Sequence, residues 1–129
     1  MIDIAIVTPS EDILVDGMNL YSFTASSAVS GGALVKPVGE YSVGHATIGA
    51  DNVIGVALYE TAKGNMVSIA GPGCIVRCCA SGTIGYGADL YAATTGRVDD
   101  HLTYGGSSIC IGIALDSATN NGAIRVLLK

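Results

Sequence analysis

From residue 30 onward, short aliphatic or β-branched runs alternate with Gly, Asn, Asp and Ser. Runs of this length, closed by turn-forming residues, predict strands. The candidates are 33–37, 53–59, 66–69, 74–79, 89–92, 109–115 and 123–128. Their spacing suits a β-sandwich or small barrel and leaves no room for a crossover helix after every strand. The expected class is therefore all-β. A short helix at 58–62 or 115–119, where Ala and Leu concentrate, is an alternative that a turn matches equally well. Residues 1–27 alternate weakly and carry turn signals at Pro9-Ser10 and Asp16-Gly17, which reads as an extended N-terminal arm with one or two short strands. The expected division is an extended N-terminal arm with the first short strands over 1–27 and a β-barrel domain over 28–129.

The pattern also repeats. Ile54-Gly55-Val56-Ala57-Leu58 returns 57 residues later as Ile111-Gly112-Ile113-Ala114-Leu115. Each copy is followed by a polar turn ending in Gly (Thr61-Ala62-Lys63-Gly64 and Thr119-Asn120-Asn121-Gly122) and then by an aliphatic strand. Upstream, Ser30-Gly31-Gly32-Ala33-Leu34 is echoed by Gly85-Tyr86-Gly87-Ala88-Asp89-Leu90. Two related β units folded against each other would close one barrel-like core. Within each, a Gly between β-branched neighbours marks a strand bend or a close backbone approach.

Composition narrows this picture. The chain has 129 residues, enough for one domain, and is half apolar with one Phe and no Trp. The core must be aliphatic. Gly is frequent, 18 residues, and the charged fraction is 13%, about half that of an ordinary soluble domain. So little charged surface implies that neighbours cover part of the exterior. Net charge is −5, and the six basic residues, Lys36, Lys63, Arg77, Arg97, Arg125 and Lys129, are scattered singly. Nucleic acid needs clustered cations and is not an expected partner. The N-terminus lacks the basic start and continuous apolar run of a signal peptide, and the uncharged stretch 17–35 is too polar for a bilayer, so neither export nor a membrane is expected.

The candidate chemistry is thin. Cys74, Cys78, Cys79 and Cys110 contain no C-x-x-C pair and lie far in sequence from either His, so buried apolar thiols are expected rather than zinc ligands. A disulfide through an exposed Cys79 is the alternative. His45 and His101 fall in polar stretches and read as solvated loop residues, and no Gly-x-Ser-x-Gly elbow singles out a nucleophilic Ser. The acids Asp3, Glu11, Asp12, Asp16, Asp99 and Asp100 lack the spacing of a calcium loop. Thr83-Ile84-Gly85-Tyr86-Gly87 looks like a potassium-channel filter, but it has no flanking membrane helices and reads as a turn. Gly71-Pro72-Gly73 and 82–87 lack a phosphate loop's spacing. No catalytic, cofactor-binding or metal site is expected, and no enzyme.

The layout from Ser30 to Lys129 is similar to the head decoration, or capsid cement, proteins of tailed bacteriophages. The likeness is carried by Gly55-Val56-Ala57-Leu58 with Ala62-Lys63-Gly64-Asn65-Met66-Val67, by Ser81-Gly82-Thr83-Ile84 leading to Leu90-Tyr91-Ala92 and Thr95-Gly96-Arg97-Val98, and by Ile111-Gly112-Ile113-Ala114-Leu115 with 122–128. The resemblance implies a β-barrel or β-tulip fold with an extended arm, a homotrimer, and the major capsid protein as partner on the outer surface of a virion whose proteins are made in the host cytoplasm. Its implied role is structural, stabilising contacts between capsid subunits. The expected capsid contacts are Ile2, Ile4, Ile6 and Val7, whose alternating strand could join an exposed sheet edge, although pairing within its own barrel is an equal alternative. From another class, a small barrel that binds carbohydrate through Tyr21, Tyr41, Tyr59, Tyr86, Tyr91 and Tyr104 is the alternative function.

Overall fold

A computed structural model describes residues 13–15 (backbone only), 20–48, 50, 52–100 and 109–129. The strands are β1 (Ile13–Val15), β2 (Leu20–Ala25), β3 (Leu34–Gly39), β4 (Ser42–His45), β5 (Gly55–Ala57), β6 (Met66–Ala70), β7 (Ile75–Cys79), β8 (Asp89–Ala92), β9 (Val98–Asp99), β10 (Gly112–Ala114) and β11 (Ala123–Leu128). A single 3-10 turn, Thr94–Gly96, is the helical feature among the described residues. The protein is all-β, and the two segments weighed as short helices, 58–62 and 115–119, are bends that each carry a bridge residue, Thr61 or Ala118.

The strands form two assemblies. One is a closed five-stranded barrel, β2-β4-β3-β5-β6, sealed by the β2–β6 ladder. The other is a curled six-stranded sheet, β1-β7-β11-β10-β8-β9. Strand by strand, β7 to β11 repeat the plan of β2 to β6. The pair Lys36↔Gly44 returns as Tyr91↔Asp99 and Pro37↔Val43 as Ala92↔Val98, a step of 55 residues. Val56↔Ala70 and Ala57↔Ile69 return as Ile113↔Leu127 and Ala114↔Val126, a step of 57. Even the loop bridge Val29↔Thr61 has its counterpart in Ile84↔Ala118. The repeat thus spans nearly the whole described fold, well beyond the pentapeptide that reveals it in sequence.

One detail of the sequence alignment changes. Matching the turns by their glycines equates Gly64 with Gly122, but the hydrogen bonds equate it with Asn121. Gly64 N donates to Ala25 O, and Asn121 N donates to Ala80 O, both at 2.8 Å. Both residues hold positive φ, 88° and 65°, a conformation that Gly adopts freely and Asn tolerates. Backbone conformation, rather than residue identity, is what the two turns share.

The interiors match position by position. The first unit buries Ala25, Val29, Val35, Val43, Ala57, Val67 and Ile69, with Phe23 and Ile54 packed against them. Their equivalents Ala80, Ile84, Leu90, Val98, Ala114, Ile124, Val126, Cys78 and Ile111 all lie in the second cluster. Where the second unit replaces Phe23 by Cys78, it enlarges Val29, Val35 and Val67 to Ile84, Leu90 and Ile124. Those gains offset most of the volume lost there and at Val126, the smaller counterpart of Ile69, which keeps the interior filled. The second cluster also takes in Leu34, Ala46, Val56, Leu58 and Ala70 of the first unit, so the seam between units is itself part of the core.

The repeated glycines serve close approach. A Cβ at Gly55 would fall on the Ala70 carbonyl oxygen, and one at Gly112 would lie 2.6 Å from the Leu127 oxygen. Each glycine lets β5 or β10 press onto the strand that follows it, β6 or β11.

Candidate interaction surface

The polar groups that could support chemistry are held by the fold. His45 is the last residue of β4 and half-buried, and its Nε2 accepts a hydrogen bond from Ser30 N at 3.0 Å. It is therefore a structural residue at the seam, not a solvated loop histidine, because the β3–β4 hairpin carries it against the turn before β3. Its neighbours in the cleft between units include Cys79, Gly96 and Arg97. Arg97 donates from Nη1 to Asn121 Oδ1 and from Nη2 to Thr94 Oγ1, both at 2.8 Å, so its guanidinium pins two turns together. Cys74 and Cys78 are buried in the core, and Cys79 and Cys110 are half-exposed. Cys78 and Cys79 point to opposite faces of β7, as alternation along a strand requires. His101 lies outside the described residues.

A clear electrostatic pair sits on the second unit. Asp116 accepts from Arg125 N at 2.9 Å and from Arg125 Nε at 2.7 Å. Desolvation pushes the Asp116 carboxyl up, but the two hydrogen bonds, the charge of Arg125 and that of Arg77 outweigh it and hold the carboxyl below its ordinary value. The equivalent positions in the first unit are Tyr59 and Ser68, whose hydroxyls meet at 3.2 Å. The same cross-strand contact is charged in one unit and neutral in the other.

What the molecule offers a partner is apolar surface around the first unit. Leu20, Tyr21, Val38, Tyr41, Tyr59 and Met66 are exposed, and the Tyr41 ring lies 6.0 Å from that of Phe23. They lie on β2, late in β3, at the start of β6 and in the turns after β3 and β5, so the low charge of the sequence becomes several exposed apolar side chains around the first unit. The described tyrosines are divided between the units, with Tyr21, Tyr41 and Tyr59 in the first. Tyr86 sits in the turn before β8 and Tyr91 is on β8, both in the second unit, and Tyr104 lies outside the described residues. The contacts expected at Ile2, Ile4, Ile6 and Val7 also lie outside the described residues. The part of the N-terminal segment that is described, β1, pairs antiparallel with β7 through Ile13↔Val76 and Val15↔Ile75.

The signal for this surface was present in the sequence as a low charged fraction, but its location was not. Strand β2 is one of the short strands expected within residues 1–27, whereas β4 and β9 are too short and polar to announce themselves. It is their pairing with β3 and β8 that makes them strands.

Comparison with known proteins agrees with the fold. The crystal structure of the N base of head fiber gp8.5 from bacteriophage phi29 superposes with a TM-score of 0.66 and 20% identity, over 85% of this chain and 92% of that chain. At that identity the likeness is one of fold. No curated protein matches the chain. Residues 16–129, which take in both β units from β2 to β11, match the phage cement protein family. The chain belongs to that family and is a capsid-associated structural protein of the virion.

Proposed function

We propose that the protein decorates the outer surface of a tailed-phage head, binding the major capsid protein and holding neighbouring capsid subunits together. The family match over residues 16–129 carries this reading. The exposed apolar side chains around the first unit and the 13% charged fraction support it, since such a surface is suited to being covered. No catalysis is proposed, because His45, Arg97 and Asp116 are each engaged in holding the fold.

On the shell the protein acts as a homotrimer. Three modest contacts on adjacent capsid subunits then raise one another's effective concentration, and release becomes slow without any single strong site. The N-terminal arm is the proposed grip, with Ile2, Ile4, Ile6 and Val7 as the capsid-contact residues of a short strand added to a capsid sheet edge. The protein is synthesised in the host cytoplasm and joins the head there.

Deleting residues 1–10 tests the grip. Sedimentation with purified heads lacking the protein is expected to show binding by the full chain and none by the truncated one, with the unfolding transition retained. Undiminished binding by the truncated chain refutes the arm's role.

A further inference from the structure

Of the chain's asparagines, Asn19, Asn52, Asn65, Asn120 and Asn121, only Asn121 precedes a glycine. That dipeptide is chemically labile, because glycine has no side chain to keep its backbone nitrogen away from the asparagine's side-chain amide carbon. Asn121 lies in the exposed turn between β10 and β11, at φ 65°. The first unit carries no such pair. Its equivalent residues are Gly64 and Asn65, the same two types in reverse order.

What sets this turn apart is Arg97. Its Nη1 donates to Asn121 Oδ1 and its Nη2 to Thr94 Oγ1, both at 2.8 Å, and its Nε donates to Thr94 O at 3.3 Å. All three acceptors are neutral, so among the described residues no carboxylate faces this half-buried cation. A cation bound to an amide oxygen draws electron density from the amide carbon. It also stabilises the negative charge that collects on the oxygen when a nucleophile adds. The turn therefore holds an electrophile, the donor that activates it and a nucleophile one residue away. Gly122 N donates to Thr119 O at 2.8 Å, so the nitrogen reacts only when that turn bond opens, which makes the step slow.

From these features we infer that Asn121 is a site of spontaneous deamidation, which turns it into an aspartate and sets a carboxylate against Arg97. Gly122 N gives up its proton and attacks Asn121 Cγ. The new N–Cγ bond closes a cyclic succinimide, the Cγ–Nδ2 bond breaks, and the amide nitrogen leaves as ammonia with that proton. Water then adds to Cγ, the N–Cγ bond breaks, and Gly122 N recovers a proton from the water. Arg97 polarises the Cγ carbonyl in the ring as it does in the amide, which directs water to Cγ rather than to the backbone carbonyl that would yield isoaspartate. Aspartate accepts positive φ as asparagine does, so the turn is kept. The gain falls at a weak point of the fold. Asn121 N donates to Ala80 O, and Ala80 is joined to Val98, the neighbour of Arg97, by a single bridge. Deamidation thus replaces a neutral hydrogen bond by an ion pair where the second sheet stays open.

The test incubates the purified full chain at neutral pH and follows it by peptide mass spectrometry, with an isoaspartate-specific enzymatic assay alongside. The mass increase of amide-to-acid conversion is expected at Asn121 before any other asparagine, with aspartate as the main product. In Arg97→Met, conversion is expected to slow about tenfold, the scale of one charge-assisted hydrogen bond. Arg97→Lys, which keeps the charge but not the fork of donors, is expected to fall between that variant and wild type. Asn121→Asp makes the product directly and is expected to raise the melting temperature by about 3 °C, a rise that Arg97→Met abolishes. An unconverted Asn121 in the folded chain, or isoaspartate as the main product, overturns the inference. So does a rate in folded Arg97→Met or Arg97→Lys that equals or exceeds that of wild type, or an unchanged melting temperature in Asn121→Asp.

Discussion

The two β units are one plan executed twice, with nearly the same register and different boundaries. In the first, β2 and β4 run parallel over Thr24↔Ser42 and Ala25↔Val43 and the barrel closes. In the second, the equivalent contact shrinks to the single bridge Ala80↔Val98, and the sheet stays open there. The start of β3 reaches both sides of this region. A Cβ at Gly32 would lie 2.9 Å from the Arg77 oxygen of β7, and one at Gly96 would lie 2.8 Å from the Leu34 oxygen. The reverse contacts are missing, since Gly87 has nothing within 4 Å and Tyr41, the counterpart of Gly96, is 80% exposed. The units therefore meet head to tail, not about a two-fold axis. Such an interface uses a different face of each unit. Interiors diverge little because burial constrains every atom, while edges diverge according to what stands next to them.

The strongest challenge to this equivalence is at the paired glycines. Gly55→Val drives a branched side chain into the Ala70 carbonyl and is expected to cost about 4 kcal/mol, enough to leave little folded protein, with Gly112→Val about 1 kcal/mol milder. Chemical denaturation of both variants checks the order. If either substitution is neutral, the close approach is not what the repeat preserves.

Core truncations sharpen the comparison at a smaller scale. Ile124→Ala is expected to cost about 3 kcal/mol and Val67→Ala, at the equivalent site, about 2 kcal/mol, because the larger side chain leaves the larger cavity. Urea midpoints at constant m-value provide the readout. Equal losses would mean that the second interior relaxes around the cavity more readily than the first.

The smallest expected effect belongs to the cross-strand pair. Asp116→Asn is expected to cost about 0.5 kcal/mol at pH 7, since Arg125 is largely exposed and solvent screens the contact. Because the folded carboxyl titrates below its ordinary value, its contribution is present above about pH 4 and disappears as pH falls through the folded-state value. Wild type and variant should converge once the pH lies below the folded-state value. Tyr59→Phe, which breaks the matching contact in the first unit, should show no such pH dependence over that range. Melting temperatures across pH 2–7 compare all three.

Much of the fold was readable from local pattern alone. Residues 89–92 and 123–128 coincide with β8 and β11, and the Ile-Gly-Val/Ile-Ala-Leu repeat exposed the duplication, because alternation, turn residues and close-approach glycines are written in neighbouring positions. Runs 53–59 and 109–115 were read too long, since their ends are apolar but turn away from the ladders at Leu58 and Leu115. Pairing between distant segments was decided in three dimensions. It recruited β2 into a barrel, made strands of the polar β4 and β9, aligned Gly64 with Asn121, and bound His45 to Ser30. Sequence fixes which residues prefer to be buried or extended, whereas pairings between residues 15 to 63 apart, such as Ser30 with His45 and Ile13 with Val76, depend on how the whole chain closes.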